Sequence, residues 1–125
     1  MKEFKESVTG TYLFLDDIRT PLAVYELTKQ EMFLKKDWQI VRSYDEFVNF
    51  VEGELPYFIS FDHDLEEKNY QGIFGNEKTG YDCALYLVNR CLDLNLPLPK
   101  YFVHSMNPVG KERIESLFSN FKKIT

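Results

Sequence analysis

The stretch Ile59-Ser60-Phe61-Asp62-His63-Asp64 decides the fold, because an apolar, β-prone run ends there in three consecutive ionisable side chains. A run of this kind predicts a buried strand that presents its charged residues at its carboxyl end. In an open α/β sheet, ligands bind in the crevice beyond the carboxyl ends of the strands. The stretch therefore predicts a central strand and one side of a functional site.

Two further runs have the same form. Tyr12-Leu13-Phe14-Leu15 leads into Asp16-Asp17, and Tyr101-Phe102-Val103 leads into His104-Ser105-Met106-Asn107. Each of the two histidines in the chain follows one of these apolar runs. We therefore expect three strand ends to contribute to a single site.

The remaining sequence alternates strand-like runs with helix-like runs. The predicted strands lie near residues 11–17, 38–41, 57–61 and 100–103. Helical spacing of apolar residues follows each of them, near 22–29, 43–53, 79–96 and from 107 onward. This alternation predicts a three-layer α/β domain with a doubly wound parallel sheet, and right-handed crossovers make the first and third strands central neighbours. Phe121–Thr125 is expected to add a short edge strand, whereas the pattern at Gln30–Lys36 is ambiguous.

Length and composition predict a single domain over residues 1–125. The hydrophobic content of 44% and the aromatic content of 16% exclude a disordered chain. No apolar run approaches the roughly 20 residues that span a bilayer. The first residues, Met1-Lys2-Glu3-Phe4-Lys5-Glu6, lack the apolar core of a signal peptide. We therefore expect a cytoplasmic protein with no membrane partner.

Charge and cysteine usage exclude two further classes. The net charge is −5 and no basic stripe is present, which argues against general nucleic-acid binding. Cys83 and Cys91 are eight residues apart on one predicted helix, a separation of roughly 12 Å that is too long for a disulfide between them. They are interpreted as reduced core residues, with a redox role as the alternative.

The aspartates at the strand ends predict a metal site. If the first and third strands are neighbours, Asp16, Asp17 and Asp62 lie near strand ends about 5 Å apart. Three carboxylates gathered there are costly without a cation. Oxygen ligands favour Mg²⁺, which keeps several waters and bridges to phosphate. The alternative is that one or more of these acids caps a helix.

His63 and His104 are candidates for catalysis or metal binding. As ligands they would favour Mn²⁺ or Zn²⁺, and as catalysts they would act as general acid or base near neutral pH. Asp62 and Asp64 share a face of an extended strand, which turns His63 elsewhere unless the strand has already ended. A structural role is the alternative for each histidine.

Arg19 and the pair Thr79-Gly80 are candidate substrate contacts. The planar guanidinium of Arg19 suits a phosphate, although it could equally pair with Asp17 or Asp64. Thr79 is a possible helix N-cap, and Gly80 would let a ligand approach the backbone closely.

Ser105 and Asn107 follow the fourth strand and could hydrogen-bond a phosphate oxygen, helped by the backbone amides of the next helix. Asn107 could instead only cap the helix that begins near Pro108. The segment 64–78, rich in charge and glycine, is longer than usual strand-to-helix loops. It is interpreted either as a substrate loop or as a neutral insertion.

Four blocks of sequence resemble the cyclic-phosphate processing receiver-like domain family. They are Leu15-Asp16-Asp17-Ile18-Arg19-Thr20-Pro21, Phe61-Asp62-His63-Asp64-Leu65, Thr79-Gly80-Tyr81-Asp82 and Val103-His104-Ser105-Met106-Asn107-Pro108-Val109-Gly110. The resemblance implies a receiver or flavodoxin-like fold of four to five strands in the order 2-1-3-4(-5). It also implies action on cyclic phosphates related to ADP-ribose.

The family is a divergent relative of response-regulator receiver domains. In those domains an acidic pair and a later aspartate bind Mg²⁺, and the later aspartate is phosphorylated; Asp16, Asp17 and Asp62 match these positions. The present chain adds His63, Asp64 and His104, has the long loop, and lacks a clear lysine at the end of a fifth strand.

The resemblance and the residues together favour an enzyme. We expect a metal-dependent phosphoesterase that opens a cyclic phosphate on a nucleotide or ADP-ribose derivative, with Mg²⁺ as the expected ion and a small molecule as the partner. Two alternatives stay open. One is a receiver-type signalling domain phosphorylated on Asp62, and the other is a non-catalytic nucleotide-binding protein.

Overall fold

The computed structural model describes residues 10–65 and 78–124, and within them the strands form one parallel sheet. Its strands are β1 (Tyr12–Leu15), β2 (Trp38–Val41), β3 (Phe58–Phe61) and β4 (Lys100–Val103). They lie in the order β2-β1-β3-β4, and every neighbouring pair is parallel. The predicted α/β class, the parallel sheet and the central pairing of the first and third strands are therefore confirmed.

Helices connect the strands and follow the last one. They are α1 (Pro21–Thr28), α2 (Met32–Lys35), α3 (Tyr44–Gly53), α4 (Gly80–Leu94) and α5 (Pro108–Ile124). Hydroxyl side chains begin three of them, because Thr20, Ser43 and Thr79 each accept a backbone N–H from the first turn. The ambiguous segment around residues 30–36 contains the short helix α2.

The predicted edge strand at Phe121–Thr125 is wrong, because α5 continues to Ile124. Ile114, Phe118 and Phe121 are buried and recur at helical spacing, so the apolar stripe of the helix extends to the first residue of the predicted strand. Most of the long segment 64–78 lies outside the described residues, and the two interpretations of that loop stay open.

Helices cover both faces of the sheet, as alternate residues of β1 illustrate. Leu13 and Leu15 pack into the larger core, to which α3, α4 and α5 contribute, whereas Phe14 packs against Val24 and Phe33 from α1 and α2. Both cysteines are buried, free thiols in the larger core, and burial raises the pKa of each thiol. Within the described residues, no helix is long and apolar enough to cross a membrane.

The hydrogen bonds of the sheet continue one residue beyond the strands and align the predicted site. The Asp16 N–H donates to the Val41 carbonyl, and the Asp62 N–H donates to the Leu15 carbonyl at 3.0 Å. The His104 N–H donates to the Phe61 carbonyl at 2.9 Å. Asp16, Asp62 and His104 therefore lie side by side at the carboxyl edge of the sheet.

Candidate functional site

A buried hydrogen-bond chain links three strands beneath the site. Nε2 of His104 lies 3.0 Å from Oδ2 of Asp16, and its Nδ1 lies 2.6 Å from Oγ of Ser60. The imidazole also stacks on Phe14, with ring centroids 4.9 Å apart and an interplanar angle of 3°. Because all of these groups are buried, the chain fixes the His104 ring and one face of the Asp16 carboxylate.

The other Asp16 oxygen organises the loop after β1. Oδ1 accepts the N–H of Ile18 at 3.0 Å and that of Arg19 at 2.8 Å. Burial favours the neutral carboxyl, but the hydrogen bonds from His104 and these two amides lower the pKa of Asp16 to about 2. Asp16 is therefore an ionised carboxylate whose hydrogen bonds hold the backbone around it.

Asp62 lies beside Asp16 but has a different environment. It is 4% exposed, and burial together with the negative charge of Asp16 raises its pKa to about 7. Arg19 lowers this pKa and Asp17 raises it. The negative charge of an ionised Asp62 is therefore only partly balanced by its neighbours.

Arg19 is the charged group that partly compensates the two carboxylates. Its Nη1 lies 3.5 Å from Oδ2 of Asp16 and 3.9 Å from Oδ2 of Asp62. About a third of the side chain remains exposed, so part of the guanidinium is open to a ligand. Of the two pairings considered from sequence, with Asp17 or Asp64, the second finds support because the Arg19 charge lowers the pKa of Asp64. The ion pairs of Arg19 are with Asp16 and Asp62.

The residues at this edge fit a cation. One ligand atom each from Asp16, Asp62 and His104 lies within 4.8 Å of the others, and all three residues are buried. Two of the three predicted metal carboxylates belong to this cluster. Asp17 lies outside it, although its charge acts on Asp62. Burial and the neighbouring Asp16 charge raise the pKa of Asp62, and a bound cation would offset both effects.

His63 and Asp64 form a second pair on the other side of Asp62. Nδ1 of His63 lies 2.8 Å from Oδ1 of Asp64, and the amide of Asn107 donates to the same oxygen at 3.2 Å. Burial opposes ionisation of Asp64, but these two hydrogen bonds lower its pKa. Nε2 of His63 is buried and has no hydrogen-bond partner among the described residues.

Two glycines allow the loop after β3 to approach the helices closely. A Cβ atom on Gly80 would lie 1.9 Å from the carbonyl oxygen of Asp62, and the Gly80 N–H donates to the His63 carbonyl at 2.7 Å. A Cβ atom on Gly110 would lie 2.3 Å from Cγ of His63. Gly80 therefore contacts the backbone of the site, where the sequence suggested a contact with ligand.

The remaining predicted substrate contacts make local hydrogen bonds at helix starts. Oγ of Ser105 accepts the N–H of Asn107 at 3.0 Å, and Oδ1 of Asn107 accepts the N–H of Gly110 at 3.0 Å. Thr79 and Asp82 form a capping box at the start of α4. The alternative that Asn107 caps the last helix agrees with these bonds, while its amide also reaches Asp64.

Three residues of the site were not identified from sequence. Ser60 points to the opposite face from its neighbours in β3 and reaches His104, which strand alternation could have indicated. Nη1 of Arg42 donates to the carbonyl oxygens of Asp16 at 3.2 Å and Arg19 at 2.5 Å. Gly110 had no signal of its own, because its contact with His63 depends on how α5 packs.

Comparison with known proteins decides the family. The family model described as the cyclic-phosphate processing receiver domain matches residues 11–120. The chain belongs to this family. The match includes both histidines and all three predicted metal aspartates, so the resemblance of the four sequence blocks is confirmed.

The other comparisons add nothing to the family assignment. No curated protein matches the chain. The crystal structure of a CheY-like response regulator receiver domain protein from Methanospirillum hungatei is 18% identical in sequence, with a TM-score of 0.42. That alignment covers 95% of the present chain and 100% of the other. The protein is thus a member of a receiver-like family linked to cyclic-phosphate processing.

Proposed function

We propose that this protein is a metal-dependent phosphoesterase that opens a cyclic phosphate on a nucleotide or ADP-ribose derivative. The observation that carries the proposal is the pair of buried carboxylates, Asp16 and Asp62, of which Asp62 is poorly compensated and lies beside the partly exposed Arg19. A negatively charged phosphate would not bind there unless a cation lay between it and the carboxylates.

Asp16 and Asp62 would hold the ion, and Asp17 would act on the site through its charge. A divalent metal would neutralise the phosphate and polarise its P–O bonds, and Mg²⁺ suits the oxygen ligands best. Mn²⁺ or Zn²⁺ would be favoured if His104 also bound the ion. A bound ion would offset the burial and the repulsion from Asp16 that together raise the pKa of Asp62, and would keep that carboxyl ionised.

The side chains around the carboxylates have separate tasks in the proposed reaction. Arg19 binds a non-bridging phosphate oxygen. His63, paired with Asp64, takes a proton from the attacking water, while His104 orients Asp16. Water adds to phosphorus, one ring P–O bond breaks, and the leaving oxygen receives the proton that His63 took from the water, which gives a phosphate monoester and a free hydroxyl.

The groups near the start of α5 have supporting tasks. Ser105 follows β4 by two residues, and its hydroxyl is proposed to form a hydrogen bond with the substrate phosphate. Thr79, Gly80 and Asn107 shape the rim through the backbone and capping bonds described above. Covalent attack by Asp62 is disfavoured, because metal binding competes for the same carboxylate.

The test is turnover of a panel of cyclic phosphates followed by ³¹P NMR. The panel contains ribose 1,2-cyclic, nucleoside 2′,3′-cyclic and nucleoside 3′,5′-cyclic phosphates, each with Mg²⁺ or Mn²⁺. We expect conversion of at least one member to a monoester, with loss of turnover in Asp62→Asn and His63→Ala. Asp93→Asn, which changes an exposed acid on α4, is the matched control and should retain activity. No turnover across the panel by protein with bound metal would contradict the proposal.

A receiver that accepts phosphate on Asp62 is the second candidate, because Asp62 follows β3 and lies beside Asp16 as in response regulators. Incubation with acetyl phosphate and Mg²⁺, followed by intact-mass measurement, separates the two functions. A phosphorylated adduct that is absent in Asp62→Asn and present in His63→Ala would favour the signalling function. Ligand-induced stabilisation without turnover or adduct would favour a nucleotide-binding protein.

A further inference from the structure

The two histidines of the site differ in how their ring nitrogens are occupied. Both nitrogens of His104 have partners, Ser60 and Asp16. In His63, Nδ1 has Asp64 as a partner, but within the described part of the chain Nε2 has none. The His63 side chain is about nine-tenths buried, so water does not fully compensate this nitrogen.

The partners determine which nitrogen of each neutral ring carries the proton. An ionised carboxylate only accepts hydrogen bonds, so the nitrogen that faces it must be the N–H donor. Asp16 faces Nε2 of His104, which leaves Nδ1 to accept the Ser60 hydroxyl. Asp64 faces Nδ1 of His63, which leaves Nε2 with an unshared lone pair.

Asn107, just before α5, and Gly110, in its first turn, hold the His63 ring in this state. Asn107 donates to the same Asp64 oxygen that His63 contacts, so it fixes the orientation of the carboxylate. Its Oδ1 accepts the Gly110 N–H, which ties the amide to the first turn of α5. The His63 ring packs directly on Gly110, where any Cβ atom would overlap Cγ, Nδ1 and Cδ2.

We infer that the two histidines are held in opposite tautomers, so that Nε2 of His63 accepts a hydrogen bond from a water or hydroxyl of the bound ligand. Asn107 and Gly110 are then positioning residues for His63, and Ser60 and His104 are positioning residues for Asp16. An unpartnered buried acceptor costs free energy, which a donor on the ligand would recover. The inference rests on the proposed function for the identity of that ligand, but the tautomers do not depend on turnover.

The experiment is a long-range ¹H–¹⁵N correlation spectrum of tag-free protein labelled with ¹⁵N-histidine, recorded at pH 8. Because the chain has two histidines, two ring patterns are expected. In one ring Nδ1 should have the ¹⁵N chemical shift of a protonated nitrogen, and in the other ring Nε2 should have it. Two rings in the same tautomer, or rings that average between tautomers as free imidazole does, would overturn the inference.

Variants assign the patterns and test the positioning residues. Asn107→Ala should shift or average the His63 pattern and leave that of His104 unchanged, and Ser60→Ala should do the reverse. Ser43→Ala removes the equivalent cap from α3, away from both rings, and should change neither pattern. An unchanged His63 pattern in Asn107→Ala would refute the role given to Asn107.

Gly110 is tested by a double-mutant cycle. Gly110→Ala should lower the midpoint of thermal unfolding in the wild-type background, because the new methyl group overlaps the His63 ring. In a His63→Ala background the same change should be neutral or raise the midpoint, since alanine favours the helix more than glycine does. Equal effects in both backgrounds would refute the proposed packing role.

Inorganic phosphate with Mg²⁺ is the probe for the ligand. Its addition should move the unprotonated Nε2 signal of His63 towards the protonated type, with a smaller change at His104. Opposite tautomers without turnover on the cyclic-phosphate panel would contradict the proposed function and leave the inference intact. Turnover with identical tautomers, or saturating phosphate that leaves the Nε2 signal in place, would contradict the inference alone.

Discussion

The carboxyl edge of the sheet has two halves that differ in how fully their polar groups are satisfied. In the first half, Asp16 and His104 each have hydrogen-bond partners on both sides, and the pKa of Asp16 is lowered to about 2. In the second half, the pKa of Asp62 is raised to about 7, and Nε2 of His63 has no partner among the described residues. The first half positions the site, and the second half contains the polar groups whose charge and hydrogen bonding a ligand would satisfy.

The difference explains why similar residue types have different roles. Each half contains an aspartate and a histidine that follow buried strands, so the residue types alone do not distinguish the two halves. What distinguishes them is the set of neighbours, since backbone amides and Ser60 stabilise the first half. A buried polar group without such neighbours costs stability, and its persistence is a sign of function.

The largest difference between two variants, about 5 kcal/mol in unfolding free energy, is expected when the two aspartates are neutralised separately. In metal-free protein at pH 8, Asp16→Asn should lower the free energy of unfolding by about 3 kcal/mol, because it weakens several charge-assisted hydrogen bonds. Asp62→Asn should raise it by about 2 kcal/mol, since it removes a poorly compensated buried charge. Chemical denaturation in the presence of a chelator measures both, and shifts of the same sign would remove the distinction between the halves.

Gly80→Ala should affect the second half through its backbone. The added methyl group would lie 1.9 Å from the Asp62 carbonyl oxygen, and a backbone atom cannot rotate away as a side chain can. We expect a loss of about 4 kcal/mol in the free energy of unfolding. Gly10→Ala is the control, because no atom lies within 4 Å of its Cβ position. Equal stability of the two variants would mean that α4 does not approach β3 as closely as described.

The stability of the metal-free protein should decrease as the pH rises towards neutrality. The pKa of Asp62 is about 7 in the folded protein, raised from its ordinary value of 3.8, so the folded state holds more protons than the unfolded chain between these pH values. Stability from this group is present below about pH 4 and is lost as the pH rises through 7. The difference between wild type and Asp62→Asn should change by about 2 kcal/mol between pH 5 and pH 7. A constant difference in unfolding free energy across this pH range would show that burial does not raise the pKa of Asp62.

The smallest effect is expected for Ser60→Ala in the first half. The substitution leaves Nδ1 of the buried His104 without its hydroxyl partner, which should cost about 1–2 kcal/mol of unfolding free energy. The size of the loss should be the same with and without Mg²⁺, because Ser60 lies away from the carboxylates of the second half. A loss of unfolding free energy that appears only with Mg²⁺ would place Ser60 in the metal site and contradict its assignment to the first half.

Much of the fold could be predicted from the sequence because strands that are buried on both faces have continuous apolar runs. The strands that precede Asp16, Asp62 and His104 were predicted on this basis and are confirmed. The error at Phe121–Thr125 arose because this short segment has only two apolar residues, Phe121 and Ile124, and that spacing is too short a pattern to identify the last turn of a helix. Local pattern alone does not separate such a turn from a short strand.

The composition of the site could be predicted, but its division into halves could not. That division depends on contacts between residues distant in sequence, such as those of Arg42 with the carbonyl oxygens of Asp16 and Arg19. The direction of the His63 ring was open because it depended on where β3 ends. The strand ends at Phe61, and the ring then turns to α5 through the space that Gly110 leaves.

Calorimetric titration of metal-free protein with Mg²⁺ at pH 8 tests the central claim most directly, because the claim is that the second half is completed by a cation. Wild type should bind one ion per chain, Asp62→Asn should bind it about tenfold or more weakly, and Asp93→Asn should match wild type. Absence of binding by wild type, or equal affinity in Asp62→Asn, would contradict the account.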